Sequence, residues 1–376
     1  MIVFGAACFN FGVNLDKTGK IDAEKYAALL EKSLYESDYI ERNSVVIKYD
    51  NALDFSLEID EPVELLGNGD GFPLPPFFKL QFSIFIPRHV QENIGKETGF
   101  NFNILKPILI TIIDTFHGPI TLVQIESDCI SDGSEAVILT REYLKKHFEN
   151  KLVYFECIGP SPLHANFSIT PADGHLQISG LDENGFSSTM IPSRGYDHIQ
   201  FLYSASQYES DREALNELVD SLDNELGFFY LIHKLRVKKM CKWEEIDYLY
   251  KALVETTNKY DWFSRIKLTF SPDGKRTDQL LHKLTSFEIM AFEFTTRVEN
   301  DYESIYIKGI PTYLQIIMDK EYRTKSENYP TKQIIYFLEF HEKRFLQVWQ
   351  TSLLAVSALV GALIGSVITA LTSSGN

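Results

Sequence analysis

One segment of the sequence combines residue types that could bind a phosphorylated ligand. Residues 233–242 contain five lysines or arginines, in a chain whose formal net charge is −16. Aromatic residues flank this basic segment at Phe228, Phe229, Tyr230 and Trp243. Because cations bind phosphate and aromatic faces stack on bases, the pattern predicts a pocket for a nucleotide or a short oligonucleotide. The residues predicted to bind it are His233, Lys234, Arg236, Lys238, Lys239, Lys242 and Trp243.

Two other interpretations of the basic segment stay open. Its cations could contact anionic lipid headgroups. They could equally form the solvated face of a helix that lies opposite an acidic helix. The acidic residues of that second helix are Glu209, Asp211, Glu213, Glu217 and Asp220. A smaller basic group is a candidate to complete a pocket and consists of Lys275, Arg276 and Lys283.

The remaining residues give little indication of catalysis. The sequence contains no recognisable nucleophile elbow, phosphate loop, dinucleotide fingerprint or zinc-protease motif. Its nine histidines are scattered, and the adjacent Asp197 and His198 would point apart on a strand. The cysteines are far apart and show no zinc-ligand spacing, which favours reduced thiols; they are Cys8, Cys129, Cys157 and Cys241. We therefore predict no catalytic residue, metal site or cofactor, and the overall acidity disfavours a general nucleic-acid binder.

The C-terminal segment has the composition of a membrane span. Residues 353–371 contain no charged side chain, and about 20 such residues match the thickness of the hydrocarbon core. Lys343 and Arg344 precede the segment and Trp349 lies at the expected interface depth. These flanks predict a single-pass protein of the inner membrane with its N-terminal part in the cytoplasm. The alternative is a buried hydrophobic helix.

Small and bulky residues separate onto two faces of this predicted span. Gly361 and Gly365 form a G-x-x-x-G pattern within the small-residue face. Small residues let helices approach closely in lipid, so the pattern predicts self-association. The residues predicted to pack against other copies or to line a pore are Ser357, Gly361, Gly365 and Thr369.

Hydrophobic periodicity predicts an α+β fold with three segments. Residues 1–206 form a β-rich α+β domain, 207–330 a helical connector or sensor region, and 331–376 a long helix that continues into the span. Strands are predicted at 1–13, 44–48, 53–59, 79–86, 104–114, 120–125, 152–157, 167–170, 175–178 and 199–204, with a short pair near 266–270. Helices are predicted at 22–35, from a Ser134 cap to 147, and at 211–226, 243–260 and 277–298. Residues 67–71 are predicted to form a loop.

This layout resembles the membrane effectors of bacterial anti-phage defence systems, such as the Hailong-type effector. The resemblance rests on a cytosolic α+β part, a helical connector and the segment 343–371. It implies a soluble domain that senses a nucleotide-type signal and oligomeric membrane helices that open a pore or channel in abortive infection. Membrane lipid and further copies of the chain are then the expected partners. Two other hypotheses stay open: a tail-anchored enzyme, and a tail-anchored adaptor that recruits a basic partner.

Overall fold

The computed structural model describes residues 1–13, 23–48, 79–115, 118–173, 180–191, 195–259, 274–306, 312–323 and 329–340, and scattered positions between 343 and 362. The chain divides into two compact units. Unit 1 comprises Met1–Lys238 and Phe294–Lys325, and unit 2 comprises Lys239–Glu293 and Ser326–Asn376. The architecture is a mixed α+β fold with a β-rich N-terminal sheet, as the sequence predicts. Unit 1 continues beyond residue 206, where the sequence predicts the first segment to end.

Unit 1 is built on a large mixed sheet. Its strands are β1 (Ile2–Ala7), β2 (Phe9–Val13), β3 (Val46–Lys48), β4 (Lys79–Ile84), β5 (Ile108–Thr115), β6 (Gly118–Glu126), β7 (Val153–Cys157), β8 (Ala165–Pro171), β9 (Phe186–Ile191) and β10 (Asp197–Tyr203). Among the described residues, eight strands form one sheet in the order β3-β4-β5-β6-β1-β8-β10-β9, while β2 pairs with β7. The β8–β10 pair is parallel and its neighbours are antiparallel.

Several predicted strands are confirmed. β5 and β6 form the predicted hairpin, and β5 begins just after Pro107, because proline cannot donate to a central ladder. The predicted first strand is divided at Cys8 into β1 and β2, which belong to different sheets. Strand β9 and the helix Arg88–Thr98 were not predicted. The predicted elements at 53–59, 67–71, 175–178 and 266–270 lie outside the described residues.

The helices are α1 (Ala23–Tyr35), α2 (Arg88–Thr98), α3 (Asp132–His147), α4 (Asp211–Lys259), α5 (Gly274–Tyr306) and α6 (Gln315–Arg323). Residues 331–340 are also helical, in agreement with the start of the long helix predicted over 331–376. The prediction that Ser134 caps α3 is wrong. The helix begins two residues earlier, and the Ser134 hydroxyl donates to the Ser131 carbonyl oxygen at 3.0 Å.

The prediction of separate helices at 211–226 and 243–260 is also wrong. Helix α4 continues without a break for 49 residues. It contains one glycine, Gly227, and no proline. Glycine inside a helix costs about 1 kcal/mol, which is small beside the burial of Phe228, Phe229 and Leu231 that follow it. The basic segment 233–242 therefore lies within a helix.

Two hydrophobic clusters cover opposite faces of the large sheet in unit 1. Val3 belongs to the cluster that contains residues of α1, α2 and α3. Its neighbour Phe4 belongs to the other cluster, which contains residues of α4. This follows from the alternation of side chains along a strand. Helix α3 crosses β1 closely, because a Cβ on Gly133 would lie 2.6 Å from the Phe4 carbonyl oxygen.

Unit 2 has a core of its own, formed by apolar residues of three helical stretches. Its buried residues are Ile246, Leu280, Leu284, Phe287, Ile334 and Leu338. Among the residues that the structure describes, no helix is both long and apolar enough to cross a membrane. Most of the predicted span 353–371 lies outside those residues, and the positions within it that are described are helical.

Candidate functional site

The seven residues predicted to bind a ligand all lie on α4. His233, Lys234, Arg236 and Lys238 belong to unit 1. Lys239, Lys242 and Trp243 belong to unit 2. Because a helix turns by about 100° per residue, the basic segment cannot present all its cations to one point.

His233 and Arg236 hold the carboxylate of Glu321 on α6. Arg236 donates from Nη1 to Glu321 Oε2 at 2.6 Å and from Nη2 to the Glu321 carbonyl oxygen at 2.7 Å. His233 Nε2 lies 3.3 Å from the same Oε2, and its geometry there does not meet that of a hydrogen bond, so the contact is one of charge when the imidazole is protonated. The imidazole and the guanidinium together lower the pKa of Glu321 to about 2. These two predicted ligand residues thus fasten α6 to α4 within unit 1.

Lys234 and Lys238 meet a third cation, Arg297, from α5. Burial, together with the neighbouring charges of Lys238 and Arg297, lowers the pKa of Lys234 to about 8, against the opposing effects of Cys8 and Glu156. The Lys238 ammonium also lies 5.7 Å from the ring centroid of Phe294. We call Lys234, Lys238 and Arg297 the cation cluster. It places positive charge beside an aromatic face, the combination that binds phosphate next to a ring.

Arg297 and Phe294 are site residues that no pattern in the sequence indicates. They lie more than fifty residues after Lys238, outside any basic run. The nearest signal in the sequence is the i,i+4 spacing of Arg297 and Asp301. In the structure these two residues form an ion pair, with Arg297 Nε 3.7 Å from Asp301 Oδ2. Only the packing of α5 against α4 in unit 1 shows that Arg297 faces the lysines.

In unit 2 the predicted residues have different surroundings. Trp243 packs against Phe287 and Tyr329, with ring centroids 5.5 and 5.0 Å away. Lys242 Nζ lies 3.7 Å from Glu245 Oε1, and Lys283 Nζ lies 2.6 Å from Glu245 Oε2. A groove of about 910 Å³ lies beside them and includes Glu244, Glu245, Tyr248, Asp278, His282 and Lys283 in its lining. Its charged lining is mostly acidic, which suits a cation better than a phosphate.

The residues predicted at the membrane are described only in part. Ser357 and Gly361 are helical and exposed. A Cβ on Gly361 would meet no heavy atom within 4 Å in the part of the chain that the structure describes. Lys343 is helical and exposed as well. Arg344, Trp349, Gly365 and Thr369 lie outside the described residues, as do the side chains of Lys275 and Arg276.

Replacing Glu321 with glutamine should remove a stabilisation that depends on pH. The folded-state pKa of about 2 lies below the value of about 4.3 for a free glutamate. A lowered acid pKa stabilises the fold fully above the unfolded value, and this contribution is lost as the pH falls from about 4.5 toward 2. We expect E321Q to lower the free energy of unfolding by roughly 2–3 kcal/mol at pH 7 and by much less near pH 2.

Urea titrations of the full chain in detergent micelles between pH 2 and 7 measure this difference. Glu92→Gln is the matched control, because Glu92 pairs with Arg88 at 3.2 Å on the surface, where both side chains are more than half exposed. Such pairs contribute about 0–1 kcal/mol. If E321Q changes the free energy of unfolding by the same amount at every pH, the conclusion that Arg236 and His233 lower the pKa of Glu321 is wrong.

No protein-family model, curated protein or solved structure matches this chain. Within the described ranges, no three His, Cys, Asp or Glu side chains are grouped so that they could hold a metal ion. The interpretation of the site therefore depends on the residues themselves.

Proposed function

We propose that this protein is a membrane-anchored, self-associating effector that is controlled by an anionic ligand of the nucleotide or oligonucleotide class. The ligand binds to the cation cluster of unit 1. The C-terminal segment 353–371 crosses the inner membrane and assembles with further copies into a pore or ion channel. In its biological role the protein acts in a bacterial anti-phage abortive-infection system.

The cation cluster is the observation that carries this proposal. Lys234, Lys238 and Arg297 lie close enough for their charges to disfavour protonation of Lys234. The chain as a whole has 52 acidic and 36 basic side chains, so a group of like cations is not a consequence of composition. A polyanionic ligand would add negative charge beside these cations, next to the ion pair that Arg297 already makes with Asp301. The Phe294 ring beside Lys238 offers a stacking surface for a base.

Exposed apolar side chains near the C-terminus support the membrane part of the proposal. Leu353, Leu354 and Val360 are 51, 66 and 48% exposed. Apolar surface left in water costs roughly 25 cal/mol per Å², and a segment with several such residues marks a surface for lipid or for another chain. Together with the absence of charge from 353 to 371, this favours a bilayer around the segment.

Binding to the cation cluster is tested with the full chain in detergent micelles. The probes are inorganic tripolyphosphate, the common nucleoside triphosphates, short single-stranded oligonucleotides and vesicles of anionic lipid. A charged hydrogen bond contributes roughly 1.5–3 kcal/mol, so we expect the double variant K238Q/R297Q to bind the soluble probes at least about a hundredfold more weakly. K251Q is the control, since Lys251 lies on the same helix in unit 2 and pairs with Asp247.

The same preparations, reconstituted into liposomes, test control of the membrane segment. We expect the ligand that binds best to change ion flux through wild-type liposomes and to leave K238Q/R297Q liposomes unaffected. If only anionic vesicles bind, the cation cluster is a lipid contact and the proposal of a soluble ligand is wrong. Absence of ion flux under every ligand condition would rule out a pore.

A further inference from the structure

The two-stranded sheet of β2 and β7 has an apolar face and a polar face. Phe9, Phe11 and Phe155 occupy the apolar face and pack into the cluster that contains α1 and α3. Side chains alternate along a strand, so Asn10 and Glu156 point to the opposite face. They are direct partners in the register of the two strands, which places their Cβ atoms about 5 Å apart.

Both side chains on this polar face have an unsatisfied acceptor. Asn10 is only 2% exposed. Among the residues that the structure describes, Asn10 Oδ1 and Glu156 Oε2 are buried and have no hydrogen-bond partner. A buried acceptor without a partner costs about 1–3 kcal/mol. Neither acceptor is therefore satisfied by a hydrogen bond from the described part of the chain.

The cation cluster begins next to this acceptor pair. The charge of Lys234 acts on Glu156 and lowers its pKa, although burial has the larger effect and raises that pKa to about 7. The other ionisable groups near Glu156 are Cys8, Cys157 and Tyr154. Lys234 in turn interacts with Lys238 and Arg297. The charge of Lys234 therefore interacts both with Glu156 of the acceptor pair and with the remaining two cations.

We propose that Asn10 and Glu156 form the second end of the ligand site and accept hydrogen bonds from a neutral donor group of the ligand. The ligand then carries a hydroxyl or amino group beside its phosphate. This inference rests on the proposed function, in which the cation cluster binds the phosphate. The acceptor pair distinguishes a nucleotide from an inorganic polyphosphate, which carries no sugar hydroxyl and no base amino group.

Substitutions in the acceptor pair separate a binding role from a structural role. In E156Q, the new amide can donate to Asn10 Oδ1 and satisfy it. In N10L, the unsatisfied acceptor is replaced by an apolar side chain of similar size. If the pair exists for a ligand, both variants should melt at a higher temperature than the wild type in the absence of ligand. A structural role predicts a lower melting temperature for both.

Binding by the full chain in detergent micelles supplies the second measurement. We expect wild-type protein to bind its preferred nucleoside triphosphate at least about tenfold more tightly than tripolyphosphate, since one hydrogen bond to a charged acceptor contributes roughly 1.5–3 kcal/mol. E156Q and N10L should lose this preference while they bind tripolyphosphate at least as well as wild type. Because E156Q also removes a negative charge near the cations, its affinity for tripolyphosphate should not fall.

The choice of nucleotides identifies the donor. If a 2′,3′-dideoxynucleotide binds no more tightly than tripolyphosphate, the donor is a sugar hydroxyl. If guanosine triphosphate is preferred over tripolyphosphate but inosine triphosphate is not, the donor is the amino group of the base. If wild type binds tripolyphosphate and nucleotides equally, or if the variants melt lower and keep the preference, the inference is wrong and the pair holds only water. If neither probe binds wild type, the proposed function itself fails.

Discussion

Replacing Glu225 with alanine should destabilise unit 1 by roughly 3–5 kcal/mol. Glu225 on α4 is 2% exposed. Its carboxylate accepts hydrogen bonds from the backbone N–H groups of Tyr313 at 2.9 Å and Leu314 at 3.0 Å, and from the Tyr306 hydroxyl at 3.1 Å. Alanine would leave three donors without an acceptor, each at a cost of about 1–3 kcal/mol. The free energy of unfolding, measured by urea titration, should show this loss.

Two further variants show whether the hydrogen bonds are responsible. Burial raises the pKa of Glu225 in spite of these donors, so its negative charge is itself costly. Glu225→Gln keeps one acceptor oxygen without the charge and should therefore cost less than the alanine substitution. Tyr306→Phe removes one donor and should cost about 1 kcal/mol. Equal losses for glutamine and alanine would show that the amide cannot replace any of the three interactions.

The same substitution should also loosen the attachment of α6. Glu225 holds the residues just before α6, and Arg236 with His233 holds Glu321 near its end. Limited proteolysis of E225A should cleave within 312–323 faster than wild type, because one of the two attachments is gone. E321Q removes the other and should increase cleavage in the same segment. Unchanged cleavage in both variants would contradict the view that α4 holds α6 by two carboxylates.

The parts of the fold that the sequence predicts well are those encoded by local pattern. The β5–β6 hairpin follows from two β-branched apolar runs that the sequence separates by residues 116–119. Helix α1 follows from the spacing of Tyr26, Leu30 and Leu34, which are all buried. The continuity of α4 differs from the prediction, which assigned the helical pattern to separate helices at 211–226 and 243–260. Burial of apolar side chains on both sides of Gly227 favours continuation of the helix through that position.

The candidate site was only partly predictable for a similar reason. A cluster of lysines and arginines can be recognised along the chain, but their partners cannot. The carboxylate that binds Arg236 is 85 residues away in sequence, and Arg297 reaches Lys234 only through the packing of α5. Asn10 and Glu156 become neighbours through strand pairing. No pattern in their own surroundings indicates that either acceptor is left without a hydrogen bond.

If the proposed function is correct, replacing Gly361 with leucine should weaken self-association of the chain without preventing insertion of segment 353–371 into a membrane. The added side chain increases hydrophobicity, so insertion should be unaffected. A Cβ at position 361 meets no heavy atom of the described chain within 4 Å, so the larger side chain disturbs no described neighbour there. Close approach of helices in lipid depends on small residues. We expect self-association to weaken at least about tenfold, which corresponds to a loss of about 1.4 kcal/mol.

Val360→Leu is the matched control for this substitution. Val360 is 48% exposed and lies on the predicted bulky face, where one more methylene group should meet only acyl chains. Energy transfer between labelled copies in lipid vesicles measures self-association, and ion flux through the same vesicles measures the pore. G361L should lose both signals, whereas V360L should retain both. If the two variants associate equally well, copies do not pack through the glycine-bearing face. If G361L separates the copies but conducts ions normally, the pore does not depend on their assembly.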